Sequence, residues 1–177
     1  MSIKKIQKRA WPYIKRFRTY IDVGASIGNT CIPLIDKFNK VVAFEPNPYS
    51  FNKLKVYEKI ESYNIALSNK KGIAKLVIPL DNPEHGSIAE ERKKIWKKFS
   101  TSYDVMTEML DSFSFEDVDF IKVDVEQGEL EVLQGSIQTI KKYKPMIMFE
   151  NKNVIIFLQE LGYQYVKTKS DVYSFTI

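Results

Sequence analysis

Apolar positions along this chain follow two rhythms. Ile6, Ala10, Ile14 and Phe17 recur at helical spacing, which predicts a basic helix within residues 1–19, interrupted at Pro12. Next come short unbroken apolar runs bounded by glycine, proline or polar clusters. "TYIDVG", "KVVAFEP" and "SYNIAL" read as three buried strands. Between them, "NTCIPLIDKF" and "NPYSFNKLKVYEKI" read as helices. Strand, helix, strand, helix, strand implies right-handed crossovers and a parallel sheet.

The middle of the chain breaks this alternation. "GIAKLVIPL" predicts an extra strand, "DNPEHGS" a loop and "IAEERKKIWKKF" a basic amphipathic helix. "DVDFIKVDVE" resumes the sheet. "GELEVLQGSIQTIKKY" predicts a helix, "KPMIMFE" a strand, and "NKNVIIFLQELG" a helix ending at Gly162 as its C′ glycine. "YQYVKT" and "VYSFTI", joined by a short turn, predict a closing antiparallel hairpin. The expected architecture is a mostly parallel α/β sheet with an antiparallel final strand and helices on both faces. We expect one domain over residues 1–177, with residues 81–106 as a substrate lid.

Charge adds one question. The net charge of +5 is concentrated in residues 4–18 and in Arg92, Lys93, Lys94, Lys97 and Lys98. Such clusters suit nucleic acid, a membrane surface or a charged glycan; solvated helix faces are the simpler account, since no aromatic-basic RNA motif accompanies them. No apolar run has the length of a membrane span, and no apolar stretch of a secretory signal follows the basic start. The single cysteine, Cys31, leaves no intrachain disulfide, so a cytoplasmic setting is expected.

The chemistry centres on the turn after the first strand. It reads Asp22-x-Gly24-x-Ser26-x-Gly28-Asn29 and lacks the G-x-G-x-x-G spacing of a pyrophosphate loop. An acid before the glycines repels phosphate and favours a cation. S-adenosylmethionine carries an ammonium and a sulfonium and no phosphate. Asp22 is expected to receive its amino group, and the glycines to let its methionine part lie against the backbone. Glu45, followed by Pro46 at the end of the second strand, is placed to accept ribose hydroxyls, because ligands of open α/β sheets bind outside the carboxyl strand ends. Asn64, Ala66 and Leu67 end the third strand, where adenine should rest, and Asn29 is expected to help with the carboxylate. The bland alternative makes Asp22 and Glu45 mere turn-capping acids.

With these blocks in view, the sequence resembles the FkbM family of class I S-adenosylmethionine-dependent methyltransferases. "YIDVGASIGNT", "VVAFEPNPYSFNKLK", "NIALSNKKGIAKLVIP", "MLDSF", "VDFIKVDVEQGELEVLQGS" and "KPMIMFE" follow the family's order. The resemblance implies a Rossmann-like, seven-stranded sheet and methyl transfer, usually to an oxygen of a sugar, polyketide or other small acceptor. S-adenosylhomocysteine would be the product. One departure is visible: the family commonly reads "DVEGAE", whereas Asp124-Val125-Glu126-Gln127-Gly128-Glu129 displaces the glycine by one place. Acceptor specificity is then expected from residues 81–106, the basic N-terminus or a second copy of the chain.

Transfer to an alcohol requires proton removal near the carboxyl edge of the sheet. Asp124, ending the fourth strand, is the first choice of base, Glu126 the second, and His85, the only histidine, the third. For Glu129, favourable charge at a helix N-terminus is the simpler role. Asp124, Glu150 and Asn151 offer oxygen ligands for a divalent metal, as in catechol-type methyltransferases, a reading not favoured here. Trp11, Trp96 and Tyr103 are acceptor-site options, with burial simpler for both tryptophans, and Cys31 reads as core. Three competitors remain: an RNA-directed methyltransferase, a non-catalytic scaffold with this fold, and an NAD-dependent oxidoreductase disfavoured by the missing glycine pattern.

Overall fold

A computed structural model describes residues 11–90, 94–95, 100–167 and 172–176 of the 177-residue chain. Its centre is a sheet of β1 (Thr19–Val23), β2 (Lys40–Phe44), β3 (Ile60–Tyr63), β7 (Val118–Val123), β8 (Met146–Phe149), β9 (Gln164–Lys167) and β10 (Val172–Phe175). The seven strands lie in the order β3-β2-β1-β7-β8-β10-β9. All pairings from β3 to β8 are parallel, and β10 runs antiparallel to both neighbours, as the closing hairpin predicts. β1 and β7 are buried on both faces, hence their near-continuous apolar runs.

Period-two alternation divides the side chains between two cores. Ile21, Val42, Phe44, Ile121 and Val123 pack with Leu133, Ile140, Val154 and Leu158 on one face. Those partners come from α2 (Glu129–Gln134), α3 (Ile137–Tyr143), α4 (Ile155–Glu160) and the 3-10 turn that enters it. On the other face Tyr20, Ala43, Phe120 and Met148 pack with Ile14, Cys31, Leu34, Phe38 and Leu54. Leu54 closes α1 (Pro48–Leu54), which Asn47 caps by accepting from the Tyr49 amide.

Several elements depart from the predicted pattern. Of the expected N-terminal helix, residues 1–10 lie outside the described residues. The remainder holds one 3-10 turn, Trp11–Tyr13, and residues 14–17 have no regular structure. The expected helix in "NTCIPLIDKF" is likewise a 3-10 turn, Ile32–Leu34, flanked by turns, with Pro33 in its first turn. "SYNIAL" splits at Asn64: its first half belongs to β3, while β4 (Ala66–Leu67) joins a second sheet. That sheet, β4-β6-β5, contains β5 (Gly72–Pro79) and the unpredicted β6 (Ser100–Glu108), paired antiparallel. The segment 81–106 is therefore partly strand. Of its predicted basic helix, positions 88–90 and 94–95 fall within the described residues; 90 and 94–95 are helical, whereas 88 and 89 are not.

The long helix predicted in "GELEVLQGSIQTIKKY" breaks between α2 and α3. At Gly135 a β-carbon would stand 2.0 Å from the Ser68 carbonyl oxygen, so the second sheet presses on the backbone there. Asp111 accepts from the Gln138 and Thr139 amides and restarts the helix. α4 ends as predicted. Gly162, at φ +83°, donates to Gln159, and Tyr163 donates to Leu158, the paired bonds of a glycine-terminated helix. No helix among the described residues is long and apolar enough to cross a membrane.

Candidate active site

The sheet reverses its winding between β1 and β7, and a cavity of about 610 Å³ opens there, outside the carboxyl ends of the strands. Its floor is made by the turns after β1, β2 and β7, including Gly24, Ser26, Glu45, Pro46, Asp124 and Glu126. Ala66 and Leu67 supply an apolar wall, and residues 84–90 cross the mouth. Nine predicted site residues thus meet in one place: these eight and His85.

The β1 turn is built by close backbone approach. Gly24 has φ +76°, and a β-carbon there would stand 2.0 Å from the Asp124 carbonyl oxygen. The amides of Gly24 and Ala25 both donate to the Phe44 carbonyl. Ser26 donates its amide to Glu45 Oε2 at 2.7 Å, while the Asn47 amide donates to Oε1 at 2.8 Å. Glu45 thereby joins the turns after β1 and β2. Burial pushes its carboxyl up to about 7, against the pull of the Asn47 and Ser26 amides.

Three predicted ligand residues lie off the cavity lining. Gly28, at φ +90°, meets Ile32 and Leu54, so it serves packing. Asn29 is exposed. Asn64 donates its amide to the Glu45 and Pro46 carbonyls, fixing the exit from β2.

Asp22 also lies off it. It is wholly buried on the Tyr20 face of β1, and its Oδ1 lies 2.9 Å from Lys122 Nζ. The same ammonium donates to the Gly24 carbonyl at 3.2 Å and stands 3.5 Å from Asp124 Oδ2. Burial opposes the lysine's charge, but Asp22 and then Asp124 outweigh it and hold its pKa above the usual lysine range. Sequence reasoning overlooked Lys122. The available signal was a lysine inside the apolar run "DFIKVD", because a charge in a doubly covered strand requires a buried counter-charge.

The "DNPEHGS" loop has a definite position. Asn47 Nδ2 donates to the Pro83 carbonyl at 2.7 Å, and Ser26 Oγ to the Glu84 carbonyl at 3.4 Å. Lys53 pairs with Glu84, and Ser87 Oγ donates to the Glu126 carbonyl at 2.7 Å. The loop is tied to the turns after β1, β2 and β7. It sets His85 Nδ1 3.4 Å from Glu126 Oε1, with half of the imidazole exposed. Glu126 and Gln127 have φ of +54° and +80°. The left-handed turn thus falls on Glu126 and Gln127, while Gly128 has an ordinary φ of −103°.

The remaining options are dispersed. Asn151 accepts from the Asn153 amide and donates to Glu129, and Glu150 is exposed. Among the described residues no three His, Cys, Asp or Glu gather as a metal set. Glu129 is buried, and this burial raises its pKa. Trp11 packs edge-on against Phe17, Tyr103 is exposed on β6, and Trp96 lies outside the described residues. Cys31 is buried, which pushes its thiol pKa up.

Comparison with known proteins decides the family. The model of the methyltransferase FkbM domain matches residues 22–165. The chain belongs to the FkbM methyltransferase family. No protein of curated function matches the sequence. A solved FkbM methyltransferase from Methylobacillus flagellatus KT is similar in fold, with a TM-score of 0.62 at 18% identity. The match covers 90% of this chain and 44% of that one, so the present FkbM chain spans less than half of its relative. Precorrin-6y C5,15-methyltransferase from Geobacter metallireducens matches at TM-score 0.52 and 14% identity, over 92% of this chain and 81% of that one. The T. thermophilus 16S rRNA N2 G1207 methyltransferase, solved with AdoMet and guanosine, matches at TM-score 0.52 and 16% identity. It is covered over 40% of its length and this chain over 98%. These likenesses establish a Rossmann-like methyltransferase fold.

Proposed function

We propose that this FkbM domain binds S-adenosylmethionine and transfers its methyl group to a hydroxyl oxygen of a small-molecule or sugar acceptor. The observation that carries the reading is the acid-floored cavity with the His85–Glu126 pair at its edge. Carboxylates at Glu45, Asp124 and Glu126 suit a ligand with positive centres and no phosphate. The cavity volume falls in the range of about 300–1,000 Å³ usual for such ligands.

Each Glu45 oxygen spends one acceptor site on a backbone amide, so acceptor capacity remains for ribose hydroxyls. Ala66 and Leu67 offer adenine an apolar surface, and Gly24 leaves the β1 turn without a side chain beside the methionine part. When bound, the cofactor supplies a methyl group already activated on sulfur. The protein must align the acceptor oxygen, exclude water and remove the hydroxyl proton. Glu126 orients the imidazole through Nδ1, which leaves Nε2 to take that proton. The loop carrying His85 acts as the lid over the acceptor side. A buried free thiol at Cys31 suits a cytoplasmic protein.

RNA is the alternative acceptor, favoured by Lys70, Lys71 and Lys75 along the cavity wall. Two of these lysines are already paired, Lys71 with Glu108 and Lys75 with Asp104. The deciding experiment is calorimetric titration with S-adenosylhomocysteine, on wild type and on Glu45→Ala. Micromolar binding that the variant loses supports the reading. It then justifies a labelled-methyl acceptor screen of sugars, other alcohols and RNA. A folded wild type that binds nothing overturns it in favour of a scaffold.

A further inference from the structure

We propose that Lys122 is a positioning residue of this site: it withdraws Asp22 from ligand recognition and holds Asp124 as the carboxylate presented to the cavity. The inference rests on the cofactor-binding reading above and concerns how the charges of that site are divided.

Lys122 is 3% exposed and sits directly beside Asp22 in the parallel register of β1 and β7. An ammonium has three protons to place. The three oxygens around Nζ are Asp22 Oδ1 at 2.9 Å, the Gly24 carbonyl at 3.2 Å and Asp124 Oδ2 at 3.5 Å. One belongs to β1, one to the glycine turn and one to the end of β7. All three are parts that must stay aligned for a ligand to lie across the strand ends.

The two carboxylates differ in what is left over. The Asp22 side chain has no solvent exposure, and Lys122 compensates its charge below the floor. The Asp124 side chain is 36% exposed and lines the cavity. Two acids sharing one lysine leave an excess negative charge, and the exposed partner is where a cationic ligand meets it. Lys122 thus separates a structural acid from a recognition acid. It also limits how far Asp124 can turn away from the floor.

Removing Lys122 alone strands Asp22 in the core, so the test replaces both members of the buried pair. Asp22→Asn/Lys122→Met is combined with Asp124→Asn, and S-adenosylhomocysteine affinity is measured by calorimetry in all four proteins. If Lys122 acts through Asp124, the paired replacement weakens binding about tenfold in the wild-type background and less than about twofold once Asp124 is Asn. Equal losses in the two backgrounds identify a structural role and overturn the inference. So does an undiminished affinity of the paired variant. A folded wild type that binds no S-adenosylhomocysteine overturns the parent reading and this one together, an outcome distinct from additivity among proteins that bind.

Discussion

His85 Nδ1 and Glu126 Oε1 stand 3.4 Å apart although their loops belong to different sheets. The contact exists because Ser87 anchors the loop to the Glu126 carbonyl while Asn47 and Ser26 hold its other end. If the imidazole takes the acceptor proton, His85→Ala should lower methyl transfer at least about 100-fold, within the span usual for a lost general base. Cofactor affinity should stay within about twofold, because the glycine turn and Glu45 are untouched. Single-turnover transfer of labelled methyl, with parallel calorimetry, separates the two. An undiminished rate would move proton removal to Asp124.

Glu45 makes stability depend on pH. Its carboxyl rises from the ordinary 4.5 to about 7 through burial. A raised folded-state pKa means that the native state binds the proton more tightly than the unfolded chain. The resulting stabilisation is complete below pH 4.5 and is lost as pH rises through 7. It amounts to about 3 kcal/mol at most. Denaturant unfolding at pH 5 and pH 8 should show the wild type losing more stability than Glu45→Gln across that interval. Parallel losses would mean that the carboxyl titrates normally.

The displaced glycine of the β7 turn yields a paired prediction. Gln127 occupies φ +80°, where a side chain is strained, whereas Gly128 at −103° is not in the left-handed region. Gln127→Gly should stabilise the fold by about 0.5–1 kcal/mol. Gly128→Ala should change it little, since the added methyl meets nothing nearer than Val125 Cγ2 at 3.4 Å. Chemical denaturation of both variants checks the contrast.

Gly135→Ala should destabilise by about 2–3 kcal/mol or more. The new β-carbon would fall 2.0 Å from the Ser68 carbonyl and 3.2 Å from the Asn69 α-carbon, both backbone atoms with little room to yield. Because Ser68 lines the cavity, cofactor affinity should fall with the melting temperature. A variant with wild-type melting would show that the second sheet can shift freely.

The sheet was legible wherever burial imposed a pattern. β1, β2, β7 and β8 are covered on both faces, so their sequences are nearly unbroken apolar runs. β6 was missed for the opposite reason. "STSYDVMTE" buries only Val105 and Thr107, so its inward positions do not stand out from the polar residues around them. The floor of the site was legible because acids at strand ends have no reason of burial to be there. The burial of Asp22 was not legible because the sequence shows its charge but not its partner, Lys122, which arrives from a strand far along the chain. The position of the His85 loop depends on side-chain bonds to backbone carbonyls, and carbonyls leave no mark in a sequence.

The side-by-side pairing of β1 and β7 bears on the register of the sheet. Tyr20 lies beside Phe120, Ile21 beside Ile121, Asp22 beside Lys122 and Val23 beside Val123. Both faces of these strands are buried, so apolar burial alone separates one register from its neighbour less than it would in a strand with one wet face. A slip of one residue would set Lys122 beside Ile21 or Val23 and leave two charges in the core without partners. The ion pair thus penalises misalignment more than it strengthens the native state. The same contact that compensates Asp22 therefore fixes the register of the two strands whose ends form the cavity floor.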